Sequence, residues 1–419
     1  MNTKKASRKS QMSIKTLTFG CRLNALESEK IQKMLEPVMD TAIVVNTCAV
    51  TAEAERQSGQ AVRKIVRENP NAPVFVTGCA VNRNPRLFSD IANTIVVDNL
   101  QKTCLSAYQD AMMVQPCNIE HPEIVKFRST DDKLSKQFIQ IQNGCNHDCT
   151  YCITRFLRGP AISFEYKDIL ADVRNAVARG FGEFVLTGVD IASYARLCDG
   201  KAFMISDLCR QLLKDEPRIK RLRLSSMDPA VPEVDKIIDL ILEEPRMMPH
   251  IHFSMQSGSD PVLKDMRRRH TAAMVAERMA RGNEKITFSW DIICGFPGET
   301  EELFNETMDL VRKTRPIKIH AFPFSPRPGT VAADMQNQVN RAISKERVRQ
   351  ISAAANENRV AFMRTQLGQS VQVLVEENNI ARCPHDIAVK ILGNTIAPRT
   401  ICNVILTDIV GDNFVGEIQ

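Results

Sequence analysis

Apolar and polar residues alternate in two rhythms along this chain, and the way the rhythms take turns sets out its architecture. In the first hundred residues a short apolar run ends three times in a small residue and a cysteine: Lys15 to Cys21 (KTLTFGC), Thr41 to Cys48 (TAIVVNTC) and Ala72 to Cys79 (APVFVTGC). Each run reads as a strand, and helical periodicity follows around residues 25–36 and 52–68. Strands alternating with helices predict a parallel sheet built by right-handed crossovers. The C-terminal ends of such strands lie along one edge, where open α/β sheets bind ligands. Cys21, Cys48 and Cys79 are thereby expected to share one crevice, the plainer alternative being three separate buried thiols.

Residues 101–135 are weakly patterned and read as a connection. From Gln137 the alternation resumes for about six units, with strands expected near 137–142, 183–188, 219–226, 250–256, 286–294 and 317–324. Helices are expected between them, for example over 166–179, 231–243 and 299–313. Six units in this length fall short of a complete eight-stranded barrel of about 250 residues, so a partial (β/α)6 barrel is expected, with its site at the strand C-termini. A charged helical stretch near 340–365 precedes alternating Val-rich runs such as QSVQVLVE and CNVILTDIV, which predict a small all-β module. The expected class is α/β, with an N-terminal Rossmann-like parallel-sheet domain over 12–120, a barrel over 131–362 and the β module over 366–419.

At 419 residues, 43% hydrophobic and 25% charged, the chain has the composition of a globular protein of several domains rather than a disordered or collagenous one. No apolar run approaches the roughly 18 residues that a membrane helix needs. No apolar stretch follows the basic N-terminus to make a secretory signal. The expectation is a cytoplasmic protein with no membrane partner. The net charge of +6 belongs largely to Lys4, Lys5, Arg8, Lys9 and Lys15, a basic tail that reads as a solvated extension or an aid to RNA binding. Thirteen cysteines, an odd number, fit metal or redox chemistry better than a disulfide framework.

The sharpest motif is Cys145-Asn-His-Asp-Cys149-Thr-Tyr-Cys152, a C-x3-C-x2-C loop directly after the first barrel strand. Three thiolates can hold three irons of a four-iron four-sulfur cluster and leave the fourth open to a small molecule. Structural zinc wants four closed ligands, and His147 inside the loop could supply the fourth, so zinc is the alternative.

This loop at the start of a partial barrel, with Tyr151 before its last cysteine, resembles the radical S-adenosylmethionine superfamily. Gly20-Cys21 with Asn24 and Glu27-Ser28-Glu29, Asn46-Thr47-Cys48 with Val50-Thr51, and Thr77-Gly78-Cys79 resemble the N-terminal domain of its methylthiotransferases. The likeness continues through Leu186-Thr187-Gly188-Val189-Asp190, Arg221-Leu222-Arg223-Leu224-Ser225-Ser226, Phe253 to Ser259, Asp291 to Thr300 and Phe322 to Thr330. The C-terminal module resembles a TRAM domain. LTGVD, LRLSS and FPFSPRPGT are most similar to the branch acting on threonylcarbamoyladenosine in tRNA. The other branches act on isopentenyladenosine in tRNA and on an aspartate of a ribosomal protein.

The resemblance implies two four-iron four-sulfur clusters, one on Cys145, Cys149 and Cys152 and one on Cys21, Cys48 and Cys79, each with one open iron. It implies that S-adenosylmethionine is cleaved at the first to a radical that activates adenine C2–H, and that the second carries the sulfur, methylated by another S-adenosylmethionine. The cofactors carry the hard step while the protein positions the parts, so no catalytic residue is assigned beyond the cluster ligands. Thr187, Gly188, Ser225, Gln256, Gly295 and Glu299, at strand ends, are the expected S-adenosylmethionine pocket, although ordinary βα-turn punctuation also places Gly there. The implied partners are tRNA, an electron donor and a sulfur source. A non-catalytic zinc or iron–sulfur RNA-binding protein is the alternative of another class.

Two features depart from the family. Where it carries an arginine-rich stretch, Arg158-Gly159-Pro160 is followed by Ala161, Ile162, Ser163 and Phe164, without two expected cations. The module from Gln366 has three basic against six acidic side chains, so its charge does not support RNA binding. Arg267-Arg268-Arg269 and Arg218 to Arg223 are then the basic runs left for RNA, or simply solvated faces. The histidines, including His250, His252, His270 and His320, and the other cysteines read as packing or hydrogen-bonding residues.

Overall fold

The computed structural model describes residues 13–113 and 134–419, apart from Asp40, Asn71, Asp199 and Asn283. Most of the basic tail, Cys117 and the expected domain limits at 12, 120 and 131 lie outside the described residues. The chain divides into two compact units, Met1–Ser129 and Thr130–Gln419.

In the first unit β1 (Ser13–Thr18), β2 (Thr41–Thr47), β3 (Val74–Gly78) and β4 (Thr94–Val96) form one parallel sheet in that order. β3 is buried throughout and β2 beyond its first residue, as parallel strands covered on both faces should be. The helices Arg22–Leu35 and Ala52–Glu68 make the crossovers. β4 was not expected, because three half-buried residues carry no readable apolar run. Residues 101–113 correct the expected connection. They form the helix Leu105–Met112, whose Ala107 and Tyr108 join Ile14, Leu35, Val44 and Phe75 in the unit's core. Two turns are too short to show helical periodicity, so only tertiary packing reveals this helix.

The second unit opens with β5 (Gln137–Gln140), then β6 (Gln142–Asn143) paired antiparallel with β7 (Ile162–Ser163). β8 (Glu183–Thr187) follows, then the hairpin of β9 (Ala195–Cys198) and β10 (Lys201–Met204), then β11 (Arg221–Leu224). β12 (His250–Gln256), β13 (Thr287–Cys294) and β14 (Lys318–Pro323) complete the wall. The wall is two parallel sheets, β11-β8-β5 and β12-β13-β14, joined by the bridges Leu222↔Met247 and Met227↔Phe253. Six strands therefore run in chain order, and among the described residues no ladder joins β14 to β5: this is the expected partial barrel. Alternate residues point outward into one core with the surrounding helices, among them Phe184, Leu222, Phe253 and Trp290.

After the helix Arg341–Gln366, the strands β15 (Ser370–Val375), β16 (Ile380–Arg382), β17 (Ala388–Ile391), β18 (Ile401–Val410) and β19 (Asn413–Ile418) close a five-stranded barrel. It seals the N-terminal end of the large barrel. Arg223 donates to the carbonyls of Cys383 (2.8 Å) and Pro384 (2.7 Å) and, like Arg221, pairs with the buried Glu183. Two arginines expected on an RNA-binding or solvated face are thus inside. The Glu183 carboxylate and the accepting carbonyls are what make their burial tolerable.

Candidate functional site

The cysteine loop leaves the C-terminal end of β5 and is clamped by the β6–β7 ribbon. The Cys145 N–H donates to the Gly159 carbonyl at 3.1 Å. Gly144, at φ +69°, packs on the Gly159–Pro160 backbone so closely that a Cβ would collide with the Pro160 carbonyl. The residues standing in place of the expected arginines have a structural task here. Ile162 and Ser163 are β7, and the Phe164 N–H donates to the Ile141 carbonyl while its ring enters the core.

The Arg267–Arg269 run, read from sequence as solvated or RNA-facing, keeps Arg267 and Arg269 exposed but turns Arg268 inward against this loop. Arg267 pairs with Asp148. Arg268, 6% exposed at its side chain, donates to Cys149 Sγ at 3.5 Å and to the Ser254 carbonyl at 2.8 Å, and pairs with Asp228 at 3.3 Å. Arg269 donates to Asp228 at 2.9 Å. Burial alone would raise the Asp228 carboxyl, but the Arg268 and Arg269 guanidiniums hold it below the usual range. His147 Nε2 sits 2.6 Å from Asp190, and donor atoms of Cys145, His147 and Asp190 lie within 4.8 Å of one another. Burial pushes the Cys145 thiol up to about 11 and raises Cys152 as well. A cation bound by these sulfurs must therefore displace protons.

The other candidate residues lie at neighbouring strand ends. The Thr187 carbonyl accepts from Ile141, and Gly188 presses against Gln142, whose Oε1 accepts from the N–H groups of Val189 and Asp190. The Ser225 and Ser226 hydroxyls, at the end of β11, are buried without a hydrogen-bond partner. Gln256 ends β12 at φ +72°, a strained conformation for a residue with a side chain. These features fit a polar ligand received at the strand ends. Gly295 (φ +75°) packs against Ser344. Glu299 is buried, accepting from the Gly295 N–H (2.5 Å) and from Arg347 (2.9 Å). It braces this turn from within.

In the first unit Cys48 and Cys79 directly follow the adjacent parallel strands β2 and β3, and Cys21 comes three residues after the end of β1. Gly20 (φ +94°) lies on Cys48 so tightly that a Cβ would come within 2.6 Å of Sγ, and Gly78 (φ +101°) lies equally close to the Thr47 backbone and the Asn46 side-chain Oδ1. Beneath them Asn24 donates to the carbonyls of Phe19 (2.9 Å) and Thr47 (3.1 Å), and Asn46 to the Asn24 carbonyl (2.9 Å) and Ser28 (3.1 Å). Lys102, 2% exposed, ties both asparagine carbonyl oxygens to Glu27, with its Nζ 2.5 Å from the carboxylate. Sequence reasoning missed Lys102, Asp190, Asp228 and the true place of Arg268. A lone lysine or aspartate carries no local signal, and Arg268 was hidden inside a charge run.

Residues 139–311 match the Radical SAM superfamily, and residues 13–98 match Uncharacterized protein family UPF0004. A threonylcarbamoyladenosine tRNA methylthiotransferase of Rickettsia prowazekii is 38% identical, over 90% of this chain and 90% of its own length. A tRNA-2-methylthio-N(6)-dimethylallyladenosine synthase of Wolbachia pipientis is 29% identical, over 86% and 87%. Among solved structures, the radical S-adenosylmethionine methyltransferase TsrM from Kitasatospora setae superposes with a TM-score of 0.57 at 14% identity, covering 76% of this chain and 74% of its own, a likeness of fold alone.

Proposed function

The chain belongs to the methylthiotransferase family of radical S-adenosylmethionine enzymes, and from that premise we propose that it converts N6-threonylcarbamoyladenosine to its 2-methylthio derivative in tRNA, next to the anticodon. The observation that carries this reading is the 38% identity to a threonylcarbamoyladenosine tRNA methylthiotransferase over 90% of both chains. As a member of its superfamily the chain uses S-adenosylmethionine and a four-iron four-sulfur cluster.

In this reading Cys145, Cys149 and Cys152 hold that cluster, and Cys21, Cys48 and Cys79 hold a second. Bound there, cluster and S-adenosylmethionine supply the one-electron chemistry that activates an inert C–H bond, which no side-chain base can do. The chain's own work is positioning. Arg268 fixes Cys149 and balances thiolate charge, and the β6–β7 ribbon holds Cys145. The hydroxyls of Ser225 and Ser226 offer hydrogen bonds to S-adenosylmethionine, with Thr187, Gly188, Gln256 and Gly295 lining the same rim and Glu299 holding the Gly295 turn. The partners are tRNA, an electron donor and a sulfur source.

Mass spectrometry of tRNA nucleosides from cells with and without the protein tests the reading. The expected result is selective loss of 2-methylthio-threonylcarbamoyladenosine with accumulation of its precursor. Unchanged threonylcarbamoyladenosine derivatives would overturn it. A loss confined to the isopentenyl nucleoside would move the substrate to that branch. With purified protein, Cys145→Ala should abolish deoxyadenosine formation, whereas Cys79→Ala should keep part of it and stop methylthiolation. Full methylthiolation by Cys79→Ala would remove the second cluster from the scheme.

A further inference from the structure

The barrel lumen carries a polar layer that the reaction scheme above does not use. In β12, β13 and β14 the residues Ile251, Phe253, Phe288, Trp290, Ile292 and Ile319 pack outward against the helices. Strand alternation therefore turns His252, Ser289, Asp291, Lys318, His320 and Phe322 toward the lumen. The parallel register sets Ser289 beside Lys318, Asp291 beside His320 and Ile293 beside Phe322. An ordinary barrel fills this space with branched aliphatic side chains. Here His252 places Nδ1 2.7 Å from Ser289 Oγ and Nε2 3.1 Å from an Asp291 carboxylate oxygen, and its ring lies 5.5 Å from that of His320. The layer keeps access to solvent: Asp291 is 30% exposed at its side chain, and His320 is open. Above it, one lumen step nearer the strand C-termini, Phe322 is 46% exposed, an apolar ring in a place where a buried core would have covered it.

Below this layer the lumen is closed. His250 is fully engaged with Thr287 and Ser289, and beneath it stand Glu183, Arg221 and Arg223, capped by the carbonyls of the C-terminal module. Among the described residues, the polar layer is closed off on the side of the C-terminal module. The wall thus presents an aromatic face near the reacting end and hydrogen-bonding groups of mixed character deeper in.

Resting on the function proposed above, we propose that Asp291, His252 and His320 form the subsite for the polar N6 substituent of the target adenine, with Phe322 stacking on the base. An adenine needs a flat apolar partner for its face. A threonylcarbamoyl group carries amide, hydroxyl and carboxylate functions. Asp291 accepts from its N–H and hydroxyl donors, while the imidazole of His320 and the ammonium of Lys318 on the same face suit its carboxylate. A hydrocarbon substituent of similar size would strip water from the Asp291 carboxylate, which His252 orients, and from the exposed His320 imidazole without replacing it. A site built around polar groups rejects the analogue that leaves them unpaired far more strongly than an apolar pocket rejects a polar one.

The test uses the reconstituted full-length enzyme with three anticodon stem-loop RNAs carrying threonylcarbamoyladenosine, isopentenyladenosine or unmodified adenosine at the target position. Asp291→Asn is isosteric and His320→Leu alters an exposed residue, and iron content with thermal melting checks each fold. The wild type should favour the threonylcarbamoyl RNA. Both variants should lose that preference over unmodified adenosine by at least about tenfold, chiefly through KM, while His320→Asn recovers part of it. Retention of the wild-type preference within about twofold by both variants would overturn the subsite. Failure of the wild-type enzyme to modify the threonylcarbamoyl RNA would instead overturn the function on which the subsite rests.

Discussion

Lys102 shows how much one buried charge can hold. Its ammonium joins Glu27, Asn24 and Asn46 under the loops that end in Cys21 and Cys48, with its own carbonyl accepting from Tyr108. Replacing it with alanine takes away the buried ammonium that neutralises the Glu27 carboxylate, at a cost of about 3–5 kcal/mol. Lys102→Ala should lower the denaturation midpoint of the first unit and, if Cys21, Cys48 and Cys79 bind the proposed second cluster, lower the iron content of the reconstituted protein, and the double change with Glu27→Ala should be milder than the single one. Equal destabilisation by single and double variants in urea melts would show that the pair is not coupled. This residue was illegible in the sequence because its side-chain partners are 56 to 78 positions away, and no short pattern marks a lysine as buried. The six candidate cysteines stood out in the sequence for the opposite reason: Cys145, Cys149 and Cys152 share one short motif, and Cys21, Cys48 and Cys79 each close a run whose hydrophobic pattern announces a strand.

At the scale of elements, periodicity served where segments are long and failed where they are short. β2, β3, β8, β12 and β13 lie where the apolar runs place them, whereas β4 and the helix Leu105–Met112 escaped because tertiary contacts, not pattern, make them. The altered stretch after Pro160, puzzling as a missing set of cations, is explained by β7 pairing with β6, which needs Ile162 and Ser163 extended and Phe164 buried. The glycines at strand ends are also elements of design. Gly20 combines a left-handed φ with contact on Cys48, so Gly20→Ala costs roughly 1–3 kcal/mol of backbone strain and pushes the thiol aside. Anaerobically reconstituted Gly20→Ala should carry about half the iron expected for two four-iron clusters while still cleaving S-adenosylmethionine. A full complement of iron would show that Cys48 does not need this geometry.

For the whole molecule, the joint between the large barrel and the C-terminal module sets the response to acid. Burial pushes His250 down to about 3 and His385 down to about 4, even though Asp386 pulls His250 the other way. Both stay neutral in the fold while the unfolded chain takes up protons below about pH 6.5, so stability is full above that value and falls as pH drops toward 4. The slope is at most about 1.4 kcal/mol per pH unit for each histidine. The single tryptophan, Trp290, is buried in the barrel wall and reports unfolding by its fluorescence. Urea midpoints should decline between about pH 7 and pH 5, and a flat profile would mean that neither imidazole is held neutral. The acidic module, which by charge alone had no evident purpose, supplies the carbonyls that Arg223 needs. That dependence also has an order in time. On the ribosome the strands that carry Glu183 and Arg223 emerge long before Cys383 and Pro384, so the barrel's lower end stays hydrated and unfinished through most of synthesis. Its closure waits for the later-made C-terminal module, and iron delivered before that would meet a barrel that is not yet shut.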